Sequence, residues 1–156
     1  MRRMIGRGLA AGAAGTTALN AVTYLDMALR GRPASELPEQ AVADLARRTG
    51  RDVPGHGDLR RNRLQGLGAL GGIIVGTCVG AAAALVAPMA RRLPTAVAGP
   101  LLGAAAMAST DLPMMRSGLT DPKTWSSSDW LADVLPHLAY GIVTAWTLRA
   151  LERRTS

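Results

Sequence analysis

The chain has 156 residues, a net charge of +7 and a sequence pI of about 11.2; it is 48% hydrophobic, 19% charged and 3% aromatic, with no Phe. The charges fall in blocks, and the apolar runs between them are of roughly membrane-spanning length, which excludes a disordered chain, a collagen and a disulfide scaffold and argues against a soluble enzyme domain. A single cysteine, Cys78, leaves no intrachain disulfide, CxxC pair or thiolate metal site.

The basic residues are 17 Arg and one Lys, Lys123. They flank the apolar runs: Arg2, Arg3 and Arg7, then Arg30 and Arg32, Arg60 to Arg63, Arg91 and Arg92, and Arg149 to Arg154. That distribution suits head-group anchoring, so a lipid bilayer rather than nucleic acid is the expected partner. The basic start Met1 to Arg7 has the charge of a signal peptide. The apolar run behind it is too long and lacks an A-x-A-like end, so it reads as a retained first span.

Span 1 is expected over about 8–29, long enough at about 33 Å to cross the bilayer, with Asn20 and Asp26 inside it. The polar connection 30–63 holds a short amphipathic helix: Leu37, Ala41, Val42 and Leu45 share a face, Ser35 is its cap, and Gly50 ends it. Early acids (Glu36, Glu39, Asp44) and late bases (Arg47, Arg48) suit the helix dipole. It lies on the membrane surface or bundle, or is a solvated loop helix. Asp52 to Gly57 is a turn-rich linker, and His56 within it has no assigned role.

Span 2 is expected over 64–87 with no charge, followed by a turn through Pro88, Arg91, Arg92 and Pro94. Span 3 is expected over 95–110 with a kink at Pro100, ending at Asp111. Span 4 is expected over 130–151. It must include Trp130, because a start at Pro136 would leave only about 21 Å of helix before Arg149; Pro136 is expected to kink it. Trp125, Trp130 and Trp146 read as interfacial belt residues. Four spans place both termini on one side. The Lys/Arg count alone slightly favours termini outside. The acid-free Arg91-Arg92 turn and the Arg-rich termini favour termini inside, the orientation adopted.

In span 2, Gly68, Gly72, Gly76 and Gly80 are spaced four apart, with Ala84 next. On a helix they form one slowly winding groove that lets another backbone approach closely. The partner is a helix of the same chain or of a second copy. Gly8/Gly12 and Gly99/Gly103 are shorter matches in spans 1 and 3.

Asp26, Thr110, Asp111, Asp133, His137 and Tyr140 are expected in one leaflet, because the ends of spans 1 and 3 meet the starts of spans 2 and 4. Asp133 and His137 are four apart and share a helix face with Tyr140. A carboxylate inside a span costs about 2.5–3.5 kcal/mol at the centre and less near an interface, so such groups turn inward and pair. The readings are an Asp–His proton relay, a metal site, a head-group pocket, or structural pairing of Asp133 with His137 or an arginine and of Asp26 with Arg30. No catalytic residue, metal centre or cofactor is assigned: no nucleophile arrangement, phosphate loop or HExxH occurs.

Pro113-Met114, Gly118-Leu119-Thr120 with Pro122, a Trp downstream (Trp125 or Trp130), Asp133, His137-Leu138 and Arg153-Arg154 resemble the C-terminal part of YagU-like bacterial inner-membrane proteins. Gly8 to Gly12 resembles that family's small-residue first span, while 30–63 has no counterpart in it. The resemblance implies a polytopic inner-membrane protein and no activity. The expectation is an all-α integral membrane bundle forming a single domain: a non-enzymatic structural or accessory subunit with a homo-oligomeric or membrane-protein partner. The alternative is a small proton-coupled transporter using Asp133 and His137.

Overall fold

The computed structural model describes residues 1–90 and 93–153. The described residues are helical, with no strand. The long helices are α1 (Arg2–Arg30), α3 (Gly57–Ala90), α4 (Thr95–Arg116) and α5 (Ser127–Arg153), with the short α2 (Leu37–Arg48) in the first connection. A 3-10 turn at Pro122–Thr124 precedes α5. The expected turn at Arg91 and Arg92 lies outside the described residues.

Each long helix outruns its expected apolar span, because the flanking polar residues continue the backbone hydrogen bonding. α3 begins seven residues before Leu64 and runs through Pro88. α4 continues past Asp111 and through Pro113 to Arg116. α2 forms over the expected stretch, but its N-cap is Glu36, which makes no side-chain cap bond. Ser35, expected as the cap, stands one residue earlier, its Oγ accepting from Leu37 N–H at 3.3 Å, and Gly50 takes the left-handed φ of 70° that a β-carbon would disfavour. Its packed face differs from expectation. Ala43 is buried with Val53 and Leu64, flanked by Val42 and Ala46, whereas Leu45 is 64% exposed.

Contacts run α3 to α1, α1 to α5 and α5 to α4, while α3 and α4 barely touch. The helices alternate in direction. Gly8 lies against Gly80 and Ala81, Gly12 against Gly76, Gly15 against Thr144, Gly99 against Ile142 and Gly103 against His137. The ends of α1 and α4 therefore share one end of the molecule with the starts of α3 and α5. The result is a row of helices rather than a closed four-cornered bundle.

These seams are made by glycine and leave little room for a large-residue core. The buried apolar residues are mostly alanine, and the largest fully buried side chains are Tyr140 and Thr144. Leu67, Leu70, Ile73, Ile74 and Leu85 of α3, Leu101 of α4 and Trp146 of α5 are exposed. The accessible surface is 9945 Å², against about 7,500 Å² for a globular monomer of this mass.

Among the described residues one helix is long and apolar enough to cross a membrane by itself, Gly57–Met89, and only 11% of its most apolar stretch is buried. The four-span expectation is carried by the structure only in its coarser part, an all-helical fold with one such helix. α1, α4 and α5 fall short because their apolar runs are diluted by Asn20 and Asp26, by prolines and Asp111, and by Asp133, Pro136 and His137.

Candidate functional site

The centre of the row is where α1, α3 and α5 meet. Tyr140 is 1% exposed, and its hydroxyl donates to the Gly76 carbonyl of α3 at 2.6 Å. Gly15 of α1 leaves the space that the Tyr140 ring and Thr144 occupy; a β-carbon there would sit 2.9 Å from Tyr140 Cδ2 and collide with Thr144 Oγ1. A β-carbon at Gly12 would lie 2.6 Å from the Gly76 oxygen. Thr16 turns its hydroxyl back to the Gly12 carbonyl at 2.8 Å.

The four glycines of α3 do not form one contact. Gly76 and Gly80 meet α1, and Gly68 meets Pro38 and Glu39 at the start of α2. Gly72 faces open space and is exposed, which corrects the expectation of a single buried face. The physical reason is geometric: α1 crosses α3 near its C-terminal half and α2 packs near its N-terminal half, so the stretch between them has no neighbour.

Asp133, His137 and Asp111 come together as the helix spacing suggested. His137 Nδ1 is 3.1 Å from Asp133 Oδ1 and 2.8 Å from the Asp133 carbonyl oxygen. A carbonyl only accepts, so Nδ1 carries the proton. Asp111, buried at the far end of α4, is near enough to interact with both Asp133 and His137. The cause is the close α4–α5 seam, where a β-carbon at Gly103 would sit 2.5 Å from the His137 carbonyl. Asp133 Oδ2 is buried with no hydrogen-bond partner. Two carboxylates beside one imidazole, with one oxygen unsatisfied, form an arrangement that can hold an extra proton or a cation.

Asp26 belongs to a different cluster. Arg30 holds it with two bonds of 2.6 Å, and Arg32 Nε binds Oδ2 at 2.5 Å. Arg30 also reaches Ser128 of α5, which ties the end of α1 to the start of α5. Asp26 is thus structurally paired and already satisfied by two guanidinium groups. At the start of α5, Ser126 and Asp129 cap each other: Ser126 N–H donates to Asp129 Oδ2 at 2.9 Å and Asp129 N–H to Ser126 Oγ at 3.2 Å. The Ser126 hydroxyl and amide hold the Asp129 carboxyl below the usual range.

In the first connection, Arg48 and Arg47 hold the Asp44 carboxyl low, at 2.6 and 3.0 Å. Arg60, at 3.0 Å, does the same for Asp52 with help from the Val53 amide. Between α2, this linker and α3 lies an open apolar groove of about 720 Å³, edged by Arg51 and Arg63.

Asp111 also lines a second groove, of about 330 Å³, beneath Trp125 and Trp130. The two indole rings stand edge to face with centroids 5.0 Å apart, and Trp125 Nε1 donates to Thr120 Oγ1 at 2.8 Å. Spacing arguments missed this groove because it joins α4, the loop after it and the first turn of α5. The two tryptophans five residues apart were its only trace. They also missed Thr144, one turn beyond Tyr140 on the same face. Among the described residues, no group of three His, Cys, Asp or Glu side chains converges as metal ligands would. No protein family, curated protein or solved structure matches the chain.

Proposed function

We propose that the chain is a multi-pass, non-enzymatic protein of the bacterial inner membrane, in which α1, α3, α4 and α5 all cross the bilayer and which serves as a structural or accessory subunit. The observation that carries this reading is the inversion of side-chain placement: glycine and alanine make the helix seams, while leucine, isoleucine and tryptophan face outward on each long helix. Close packing of small residues replaces a hydrophobic core where the surroundings are themselves apolar. The shortfall of apolarity in α1, α4 and α5 is compatible with crossing, because Asp26, Asp111 and Asp133 sit toward one end and are paired or turned inward. The resemblance to YagU-like proteins points the same way. The open stretch of α3 around Gly72 is where a second copy or a membrane-protein partner would sit.

Topology is tested with cysteines placed in a Cys78→Ala background. In oriented membrane vesicles, a membrane-impermeant maleimide should label Ser35→Cys and Ser126→Cys from one side and Leu93→Cys from the other. Labelling of all three from one side overturns the four-span reading. Co-purification in mild detergent then tests the accessory role, which requires a stoichiometric membrane-protein partner or a stable homo-oligomer.

The second reading is a small proton-coupled transporter. The approach of Asp111 to the Asp133–His137 pair and the unpartnered Asp133 Oδ2 favour it. Vesicles containing the parent would then move protons together with a solute, and Asp133→Asn would abolish the movement while leaving the protein folded.

A further inference from the structure

The groove beneath Trp125 and Trp130 shares Asp111 with the second reading and adds features that neither reading uses. Its walls are apolar and soft, with Met107, Leu112 and Met115 on the α4 side and the two indoles on the other. Its one acidic wall residue is Asp111, 8% exposed. The Asp111 carboxyl accepts a long hydrogen bond from Thr110 Oγ1, at 3.4 Å, and its other close polar neighbour is the Asp133 carboxyl. No Arg or Lys among the described residues lines the groove. The charges facing Asp111 from α5 are Asp133 and His137, two carboxylates sharing at most one imidazolium. Two carboxyls and one imidazole thus converge with no arginine or lysine lining the groove among the described residues.

A buried carboxylate at the back of an apolar groove selects positive ligands, and indole faces and edges add attraction for cations and for the apolar surface that carries them. A hydrated metal ion fits poorly: the described residues bring no three ligands together, and most of the wall offers no oxygen. A free anion is repelled. We infer that this groove is a binding site for a hydrophobic organic cation, an ammonium or pyridinium nitrogen carried on an apolar body, with Asp111 as its counter-charge and Trp125 and Trp130 as its walls. The ligand can come from two sources, the ammonium head group of a lipid or a free amphiphilic cation. The groove lies at the end of the helix row where the Trp residues mark the interface, and both sources partition there. The inference does not depend on transport or on the accessory role.

The full chain carrying Trp146→Phe, so that only Trp125 and Trp130 emit, is placed in phosphatidylglycerol nanodiscs and titrated with 1-butylpyridinium, a cation that quenches indole. Saturable quenching is expected, with none from neutral butylbenzene. Adding Asp111→Asn should weaken binding about tenfold or more, as loss of a charge-assisted contact does. Equal affinity after Asp111→Asn, or quenching that never saturates in the parent, overturns the site. Should Asp111→Asn fail to fold, Ala108→Phe fills the groove with Asp111 intact and must abolish saturable quenching; its persistence overturns the site as well. Nanodiscs containing phosphatidylethanolamine separate the sources. Competition that depends on Asp111 assigns the lipid ammonium, and unchanged affinity assigns a free cation.

Discussion

At the residue scale, glycine decides where backbones can meet, and its value depends on what stands opposite. A β-carbon at Gly80 would fall within 2.5 Å of the Gly12 amide nitrogen and the Gly8 carbonyl, whereas at Gly72 it would meet nothing within 4 Å. Gly80→Leu should therefore push α1 from α3 and cost more than the about 1–3 kcal/mol of ordinary overpacking. Gly72→Leu should change stability by no more than about 0.5 kcal/mol. Thermal melts of the two variants in mild detergent check this, and equal melting would refute the seam. Tyr140→Phe keeps the ring but removes the bond to the Gly76 carbonyl. That carbonyl also serves the α3 ladder, so it is not orphaned, and the expected loss is about 0.5–1.5 kcal/mol. The spacing of Tyr140 from His137 put it on an inward face, but nothing in the sequence named Gly15 or Gly76 as its neighbours.

At the element scale, α2 was the most legible feature, since its charge order and its terminating glycine are local properties, although its N-cap is Glu36 rather than Ser35. Its docked face was not, because Ala43 and Leu45 lie on nearly opposite sides of the helix and only the position of Val53 and Leu64 decides which side is covered. The ion pairs of this segment carry a pH dependence. Asp44 and Asp52 have carboxyls lowered in the fold by Arg48, Arg47 and Arg60. A lowered folded-state value means that the stabilisation is fully present above the ordinary carboxylate value of 3.8. It is lost as pH falls through the lower folded value. Carboxyl NMR should show Asp44 titrating below 3.8 and returning toward it in Arg48→Ala; an unchanged midpoint would remove the pair from the account of α2. Asp26, by contrast, is placed by the sequence either with Asp111, Asp133 and His137 or with Arg30; the fold pairs it with Arg30, and Arg32 joins it because Gly31 turns the chain back at φ 63°.

At the scale of the whole molecule, the contact order α3–α1–α5–α4 separates α3 from α4 except where the chain joins them. Spin labels at Leu67→Cys and Met115→Cys, in a Cys78→Ala background, should lie about 20 Å or more apart, since interaxial spacings of about 8–10 Å accumulate across the row. A distance near that of adjacent helices would indicate a closed bundle instead. The sequence by itself determined the number of long helices, their approximate limits, the amphipathic insert and the pairing of Asp133 with His137, but left open whether Asp111 or Asp26 joins that pair. Each of these follows from hydropathy runs, local spacing and an alternating path. Only the tertiary structure decided which glycines are used, that Asp26 stands apart with its arginines, and that Trp125 and Trp130 roof a groove over Asp111. Those outcomes depend on where one helix crosses another, and a crossing is set by the combined shapes of two surfaces that no single stretch of sequence contains.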